Sequence, residues 1–584
     1  MKRLAVWLLM PAVLVSGCSK DSIIDTDAGE NIAPVPGTEE DNDNTDETAL
    51  ERTITIVFSD ESGAVVTGDE NKMVQVNGNE VTADNSAYNE IIEYVLKGST
   101  SNGFFKVYSG NRQTLVLDGV SITNPSGAAI NNQGKKKCYI VVNGTNTLSD
   151  AASASYDSGE EDMKAVLFSE GQLLVSGSGS LTVTASNAAG KSGIATDDYL
   201  YIQDGPAITV TAGNKAGHGL KANDYVRLSG GSLNVSTQAA MKKGITSDGF
   251  VLVEGGTTSI NVSGGVAYDS EDGEYTGTAG IKADNYFGMT GGTVTIVNTG
   301  AGGKGIRAGN YTYFAENGSL NDSYVSGGTL TVTTSGKESS NVSTKAIKIG
   351  YKEGSGRSYV YGGNLLVSGG SISASSAQGE SVEAKGKITV TGGSLYAYSG
   401  SDDAINSQGE MNVTGGYVYG HSTGNDGIDS NGDMKLSGGY VFAITTRGSP
   451  EVALDANTEG GYKLYINSGA TLVAYGGLEN GYSASQSVYS MSCSAGGWNG
   501  LWNGSSFIAA FKAPSGVSSV AVSAPSLSQG YTGVSAGEPV CNGVWAADGI
   551  SGGTAVSLTT YSGGQGGPGG GGWPGGPGGG GRPW

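Results

Sequence analysis

From about residue 114 to 480, Ser, Thr, Val, Ile and Tyr alternate in short runs, and no run has a helical period. Such alternation predicts strands with one buried face. Over residues 368–445 the pattern repeats every 23 residues. Gly369-Gly370-Ser371-Ile372 returns as Gly392-Gly393-Ser394-Leu395, Gly415-Gly416-Tyr417-Val418 and Gly438-Gly439-Tyr440-Val441. Between these lie SVEAKGKITV (381–390), DAINSQGEMNV (403–413) and DGIDSNGDMKL (426–436). A fixed period of this length marks a solenoid, in which each repeat buries its apolar face only against its neighbours. With strands and no helices, the expectation is an all-β parallel β-helix in which each period is one coil. Residues 23 apart would then stack about 4.8 Å apart.

A recurring apolar position marks the coils: Ile130, Val166, Ile194, Leu220, Ile245, Ile281, Ile306, Ile347, Val382, Ile405, Ile428 and Leu454. These predict about twelve coils, or about 55–60 Å of solenoid. Wider spacings place insertions at 149–163, 263–278, 312–324 and 350–363, and loops on a rigid scaffold often carry binding function. The resulting plan has a helix at 111–479, an N-terminal cap at 52–110 and a β-rich C-terminal cap at 480–562 that covers the last coil. A Gly/Pro-rich flexible tail follows at 563–584.

The register aligns charges. The residue after each mark faces outward. It reads Lys221, Thr246, Lys282, Arg307 and Lys348, then Glu383, Asn406, Asp429 and Asp455. Two residues before the mark stand His218, Lys243, Ala279, Lys304 and Lys345, then Glu380, Asp403 and Asp426, with Asp402 and Asn425 alongside. Two carboxylates 4.8 Å apart repel by about 1 kcal/mol in bulk water and about 3.5 kcal/mol at an effective dielectric of 20. An acidic column of Glu380, Glu383, Asp402, Asp403, Asn406, Asp426 and Asp429 therefore suits a cation, and hard oxygen ligands suit Ca2+. The alternative is a solvated acidic face. The basic columns of Lys221, Lys243, Lys282, Lys304, Arg307, Lys345 and Lys348 need anions. Those are a bound acidic ligand, a lattice of weak pairs with Asp197, Asn223, Asp248 and Asp284, or that lattice completed by an acidic ligand. Tyr225, Phe250, Tyr286 and Tyr311 either pack the turns or stack on sugar faces.

Composition sharpens this. The chain has 584 residues, 100 Gly and a net charge of −22, which argues against nucleic-acid binding. Met1-Lys2-Arg3 and the apolar run to Val15 form a secretory signal too short to span a bilayer. The run ends in VSGC, which resembles a lipoprotein processing site, with Val15 where Leu is usual. Residues 1–17 are then the signal peptide and Cys18 the lipid-bearing N-terminus. Residues 18–51 form an acidic tether. The expected location is the outer membrane, lipid-anchored and facing outward, as a monomer. Cys493 and Cys541 could pair outside the cytoplasm. The two His residues lack the Cys neighbours that a zinc site would use. Trp498, Trp502 and Trp545 read as cap packing, with a sugar platform as the alternative.

The stretches LVLDGVSITNPSGAAI (115–130), VVNGTNTLSD (141–150), VLFSEGQLLVSGSGSLTV (166–183) and SGIATDDYLYI (192–202) resemble an extracellular carbohydrate-binding β-helix family of bacterial surface proteins. The resemblance covers about 53–480. It implies a right-handed parallel β-helix, bound calcium and binding of acidic polysaccharide such as polygalacturonate. That family is in turn similar to calcium-dependent pectate lyases. Asp402-Asp403-Ala404-Ile405-Asn406, with Glu380 and Asp429 one coil to either side, looks like the lyase calcium site, with Asn406 in place of a carboxylate. A lyase would use calcium to acidify a proton beside the uronate carboxylate and Lys385 or Lys435 as base. The expected function is non-catalytic binding. The alternatives are a polysaccharide lyase and a surface adhesin without sugar specificity.

Overall fold

The computed structural model describes residues 50–156, 161–270, 273–355 and 358–563. The signal peptide, Cys18, nearly all of the tether and the Gly/Pro-rich tail after Gly563 lie outside them. No helix among the described residues is long and apolar enough to cross a membrane.

The chain winds as a parallel β-helix with three strands per coil. One coil is Ile388–Val390, Ser394–Ser399 and Ile405–Ser407, and the next is Met411–Val413, Tyr417–Ser422 and Ile428–Ser430. Ser371 aligns with Ser394, Tyr417 and Tyr440 in turn, and Val382 with Ile405 and Ile428, so the 23-residue repeats stack residue for residue. The Gly-Gly pair makes this possible. Gly416 has φ +76°, which L side chains rarely adopt. A Cβ on Gly415 would sit 2.2 Å from the carbonyl oxygen of Thr391 in the coil before. One glycine turns the chain and the other lets stacked turns touch.

Two faces of the helix merge into one 32-stranded sheet, because strands such as Gln113–Asn124 run through both. The third face is a separate 15-stranded sheet, from Val74–Asn77 to Leu454–Ala456. Its inward column runs from Ile130 through Leu167, Ile194 and Leu220 to Ile428 and Leu454, fully buried. In the second of these coils the column residue is Leu167, not Val166. Both are apolar and buried, so hydropathy alone could not choose between them.

The coils begin before residue 111. Arg52–Ser59 pairs in parallel with Ile92–Thr100, which pairs in parallel with Gln113–Asn124. Glu80–Asp84 pairs likewise with Phe104–Tyr108. The segment expected as a cap thus supplies coils. Two antiparallel pairings close that end, Val65–Thr67 on Arg52–Ser59 and Val74–Asn77 on Glu80–Asp84.

At the other end, Ser519–Ser523 adds antiparallel to Thr471–Tyr475 and covers an open edge. Ser483–Ala484, Tyr489–Ser492 and Leu558–Thr560 join the same large sheet, and six further strands of this region form an antiparallel sheet. It folds back on the flank of the helix rather than only over the last coil. Trp545 is fully buried against Tyr440, Phe442 and Phe511, and its Nε1 donates to the carbonyl of Val418. Trp502 packs on Phe507 and Tyr531. Cys493 and Cys541 are separate buried thiols, facing the carbonyls of Val517 and Tyr417 respectively.

Candidate functional site

The outward face of the 15-stranded sheet carries every charge column. Lys221, Thr246, Lys282, Arg307, Lys348, Glu383, Asn406, Asp429 and Asp455 align in unbroken register. Lys243, Ala279, Lys304 and Lys345 align beside them. Insertions rise from both edges of this floor. The hairpin Ala267–Asp269 and Glu274–Thr276 precedes the strand Ala279–Ala283. The helix Tyr311–Asn317 follows Lys304–Ala308, and the hairpin Tyr351–Ser355 with Ser358–Gly362 follows Lys345–Ile349.

The basic half is poorly neutralised from within. Lys282 pairs with Asp284 at 2.5 Å, the one bond of the anticipated lattice made by these columns among the described residues. Asp197 is taken by Lys164 instead, at 2.6 Å. Lys221, Arg307 and Lys348 make no ion pair among the described residues. Lys243 donates to the carbonyl of Met241 at 2.6 Å, and Lys304 to those of Gly302 and Ser343 at 3.2 and 2.9 Å. Burial, with Arg307 and Lys282 nearby, pulls Lys243 down to about 7. Burial, offset in part by Glu383, leaves Lys348 at about 8. Burial and the cations Lys348 and Arg307 hold Lys304 well below the usual lysine range.

At the junction the two signs meet. Lys345 lies 2.6 Å from Glu380 and 2.8 Å from Glu383, and Lys385 also pairs with Glu383. Burial favours neutral Glu383, but Lys345, Lys385 and Lys348 outweigh it and hold the carboxyl below the usual range. Lys345 is correspondingly held above its own. Glu380 and Glu383, expected as metal ligands, are thus claimed by lysines.

The acidic half is built by buried hydroxyls. Ser399 Oγ accepts from the backbone N–H of Asp402, and Ser422 Oγ from that of Asn425. Ser422 also donates to the carbonyl of Asp402 at 2.6 Å. These bonds fix the turns that present Asp402, Asp403 and Asp426. Asn406 Nδ2 donates to both Asp403 and Asp429, each at 2.9 Å. Asp403 accepts from the N–H of Asp426 at 3.0 Å, and Asp426 from that of Val452 at 2.6 Å. No cation of the chain pairs with these carboxylates among the described residues. Burial and then Asp429 raise Asp403 well above the carboxylate range. Burial lifts Asp426 to about 7, and burial with Asp426 and Glu380 lifts Asp429 to about 7. Asp402, Asp403, Asn406, Asp426 and Asp429 form an oxygen-rich set that suits a hard cation.

Several expectations fall. Lys435 lies on Met434–Leu436 of the other sheet, paired with Glu410 and, at 3.7 Å, with Asp433. The Gly432 turn carries the chain round a corner, so this lysine does not face the acidic column. Tyr199, Tyr225, Phe250, Tyr286 and Tyr324 form a stack with ring centroids 4.6–6.1 Å apart, and Tyr286 is 1% exposed. That stack is turn packing. Tyr311 lies apart, in the helical insertion. A second acidic group went unnoticed in the sequence: Asp162, Glu170 and Asp197 bring ligand atoms within 4.8 Å of one another. Lys164 pairs with two of the three, 3.0 Å from Asp162 and 2.6 Å from Asp197.

No curated protein matches the chain. A solved structure described as the polysaccharide lyase-like protein from C. thermocellum, a gadolinium derivative, shares 26% identity. The match covers 44% of this chain and 95% of that one, with a TM-score of 0.36, a likeness too loose to bear on function. A family model for carbohydrate-binding domain-containing proteins matches residues 77–272 and 276–423, more than half of the chain. The matched span holds the whole basic floor, the junction and the first acidic coil. This chain therefore belongs to the carbohydrate-binding domain-containing protein family.

Proposed function

We propose that the protein binds acidic polysaccharide of the polygalacturonate kind without turning it over, and does so on the outward face of the 15-stranded sheet. The observation that carries this reading is the set of cations that make no ion pair among the described residues, Lys221, Arg307 and Lys348, aligned in one column. A uronate polymer supplies a carboxylate on every ring and would neutralise such a column along its length. Family membership supports a carbohydrate ligand, and the charge selects an acidic one.

Calcium is the second part of the proposal. Asp402, Asp403, Asp426 and Asp429 would hold it, and turning the Asn406 amide would present its Oδ1 as a further ligand. When bound, the ion would offset the mutual repulsion of these carboxylates. We place the protein at the cell surface, anchored in the outer membrane through lipid on Cys18, and acting as a monomer.

A lyase is the second reading, favoured by the position of Lys385 beside the acidic column. Against it, Lys385 is already engaged in an ion pair with Glu383. Incubating the full mature chain with polygalacturonate, with calcium and with chelator, tests both. Retention of polymer without absorbance of unsaturated product is the expected result. Product formation would establish the lyase, and absence of both would overturn acidic-glycan binding.

A further inference from the structure

The two insertions beyond the basic half of the floor build a cleft that the columns do not include. Asn310 caps the helix Tyr311–Asn317 by accepting from the N–H of Tyr313 at 2.7 Å. The helix docks on the following hairpin through Phe314 and Tyr311, whose rings lie 5.5 and 5.3 Å from that of Tyr351. Between these insertions and the next coil turns lies a cleft of about 510 Å³. That is within the usual range of small-ligand sites, roughly 300–1,000 Å³.

Its walls differ in chemistry. One side presents Phe314, Tyr351 and Tyr361, and the other Lys385, Lys387 and Gln408. Tyr351 is buried and accounts for the packing of the insertion. Tyr361 is only half-buried, with the Tyr359 ring 6.2 Å and the Lys352 ammonium 5.9 Å from its centroid, and its neighbour Val360 is 52% exposed, so the hairpin leaves apolar surface open to the cleft. Lys387 is 59% exposed and only loosely tied, 3.9 Å from Glu410. Lys385 pairs with Glu383, the residue that follows Lys348 in the outward column. The cleft therefore opens where the basic column ends.

An aromatic wall suits the apolar C–H face of a pyranose, an amide suits its hydroxyls, and an ammonium suits a carboxylate. We propose that this cleft is a subsite for one uronosyl ring, with the ring face against Tyr361 and the carboxylate toward Lys387. The subsite rests on the acidic-polysaccharide reading. It adds that a polymer lying along the floor places one ring in the cleft between the insertions.

Calorimetric titration of the full mature chain with a short oligogalacturonide tests this. Tyr361→Ala is expected to weaken binding about 10-fold, and Tyr361→Phe to restore most of it. Lys387→Gln is expected to weaken binding about 3-fold for the oligogalacturonide and not at all for the same oligomer with its carboxylates reduced to alcohols. Unchanged melting temperature in each variant separates binding from folding. Variants that bind as tightly as the wild-type chain would overturn the subsite and leave the floor reading intact. A wild-type chain that binds no oligogalacturonide would overturn both.

Discussion

The basic and acidic halves of the 15-stranded sheet occupy the same scaffold, the same register and the same outward positions, yet carry opposite charge. In the basic half, Lys221, Arg307 and Lys348 make no ion pair among the described residues, and Lys243 and Lys304 lean on backbone carbonyls. In the acidic half, Asp403, Asp426 and Asp429 are held by Asn406 and by backbone N–H groups. Stacking at about 4.8 Å turns one sequence position into a row of charges. In solution such a row would be diluted by water, but on a rigid sheet it persists and must be met from outside. Among the described residues, Lys345 is where the two columns form ion pairs with each other. The comparison teaches that the solenoid can set rows of opposite charge on one sheet by changing one residue type per coil, without changing the apolar column beneath them.

The largest expected effect is at that junction. Lys345→Met would leave Glu380 and Glu383 facing each other without their shared cation. Breaking a buried pair by removing one partner costs about 3–5 kcal/mol. Chemical denaturation should show a loss of this size. A loss under about 1 kcal/mol would mean that water reaches the junction and that the two halves are not electrostatically joined there. Next comes the floor. Arg307→Gln with Lys348→Gln removes two charge-assisted contacts of about 1.5–3 kcal/mol each, so affinity for polygalacturonate should fall at least about 100-fold. Asp403→Asn, in the other half, should change affinity far less in the presence of chelator. Equal losses in the two variants would erase the distinction between the halves.

Calcium sharpens the same contrast. Asp426 and Asp429 sit at about 7 in the folded chain, against about 3.9 for an unfolded aspartate. Between these values the folded state holds protons that the unfolded state has released. Stability of the chelated protein should therefore fall as pH rises from about 4 to 7. Calcium should raise the melting temperature by a few degrees at pH 8 and hardly at all at pH 5, where protons already neutralise the cluster. Scanning calorimetry at both pH values reads this directly, and an equal response at pH 5 and 8 would detach calcium from these carboxylates.

Much of the floor was legible in the sequence because the recurring apolar mark carries the register from coil to coil, and over 368–445 a 23-residue period fixes it arithmetically. The outward column from Lys221 to Asp455 stacks as the spacing predicts, and Asn406 falls between two aspartates as its place in the repeat requires. What the period does not carry was not legible. Corners are set by turn geometry, so nothing in the spacing shows that the turn at Gly432 carries Lys435, a candidate base, to another sheet. The insertions break the period, so the aromatic wall of Phe314, Tyr351 and Tyr361 has no column to reveal it. Ion pairing also depends on side-chain reach. The pairing of Lys345 with both Glu380 and Glu383 converts two expected metal ligands into salt-bridge partners, and no spacing rule separates these roles.

The smallest expected effect is also the one most specific to the basic half. Lys243 and Lys348 sit at about 7 and about 8, so near pH 8 the free protein carries less than full charge at both. Their folded values lie below the unfolded value of about 10.4, so in the free chain their contribution to stability rises as pH increases through this window. A uronate ligand reverses the sign, because its carboxylates favour the charged ammonium. Binding should then draw protons from solution and weaken a few-fold between pH 7 and 9, while calcium binding by the acidic half should release protons at pH 6–7. Titration calorimetry in two buffers of different ionisation enthalpy measures both proton counts. Proton uptake with polymer and release with calcium would assign opposite partners to the two halves, whereas the same sign for both would leave the row of lysines as an ordinary solvated face.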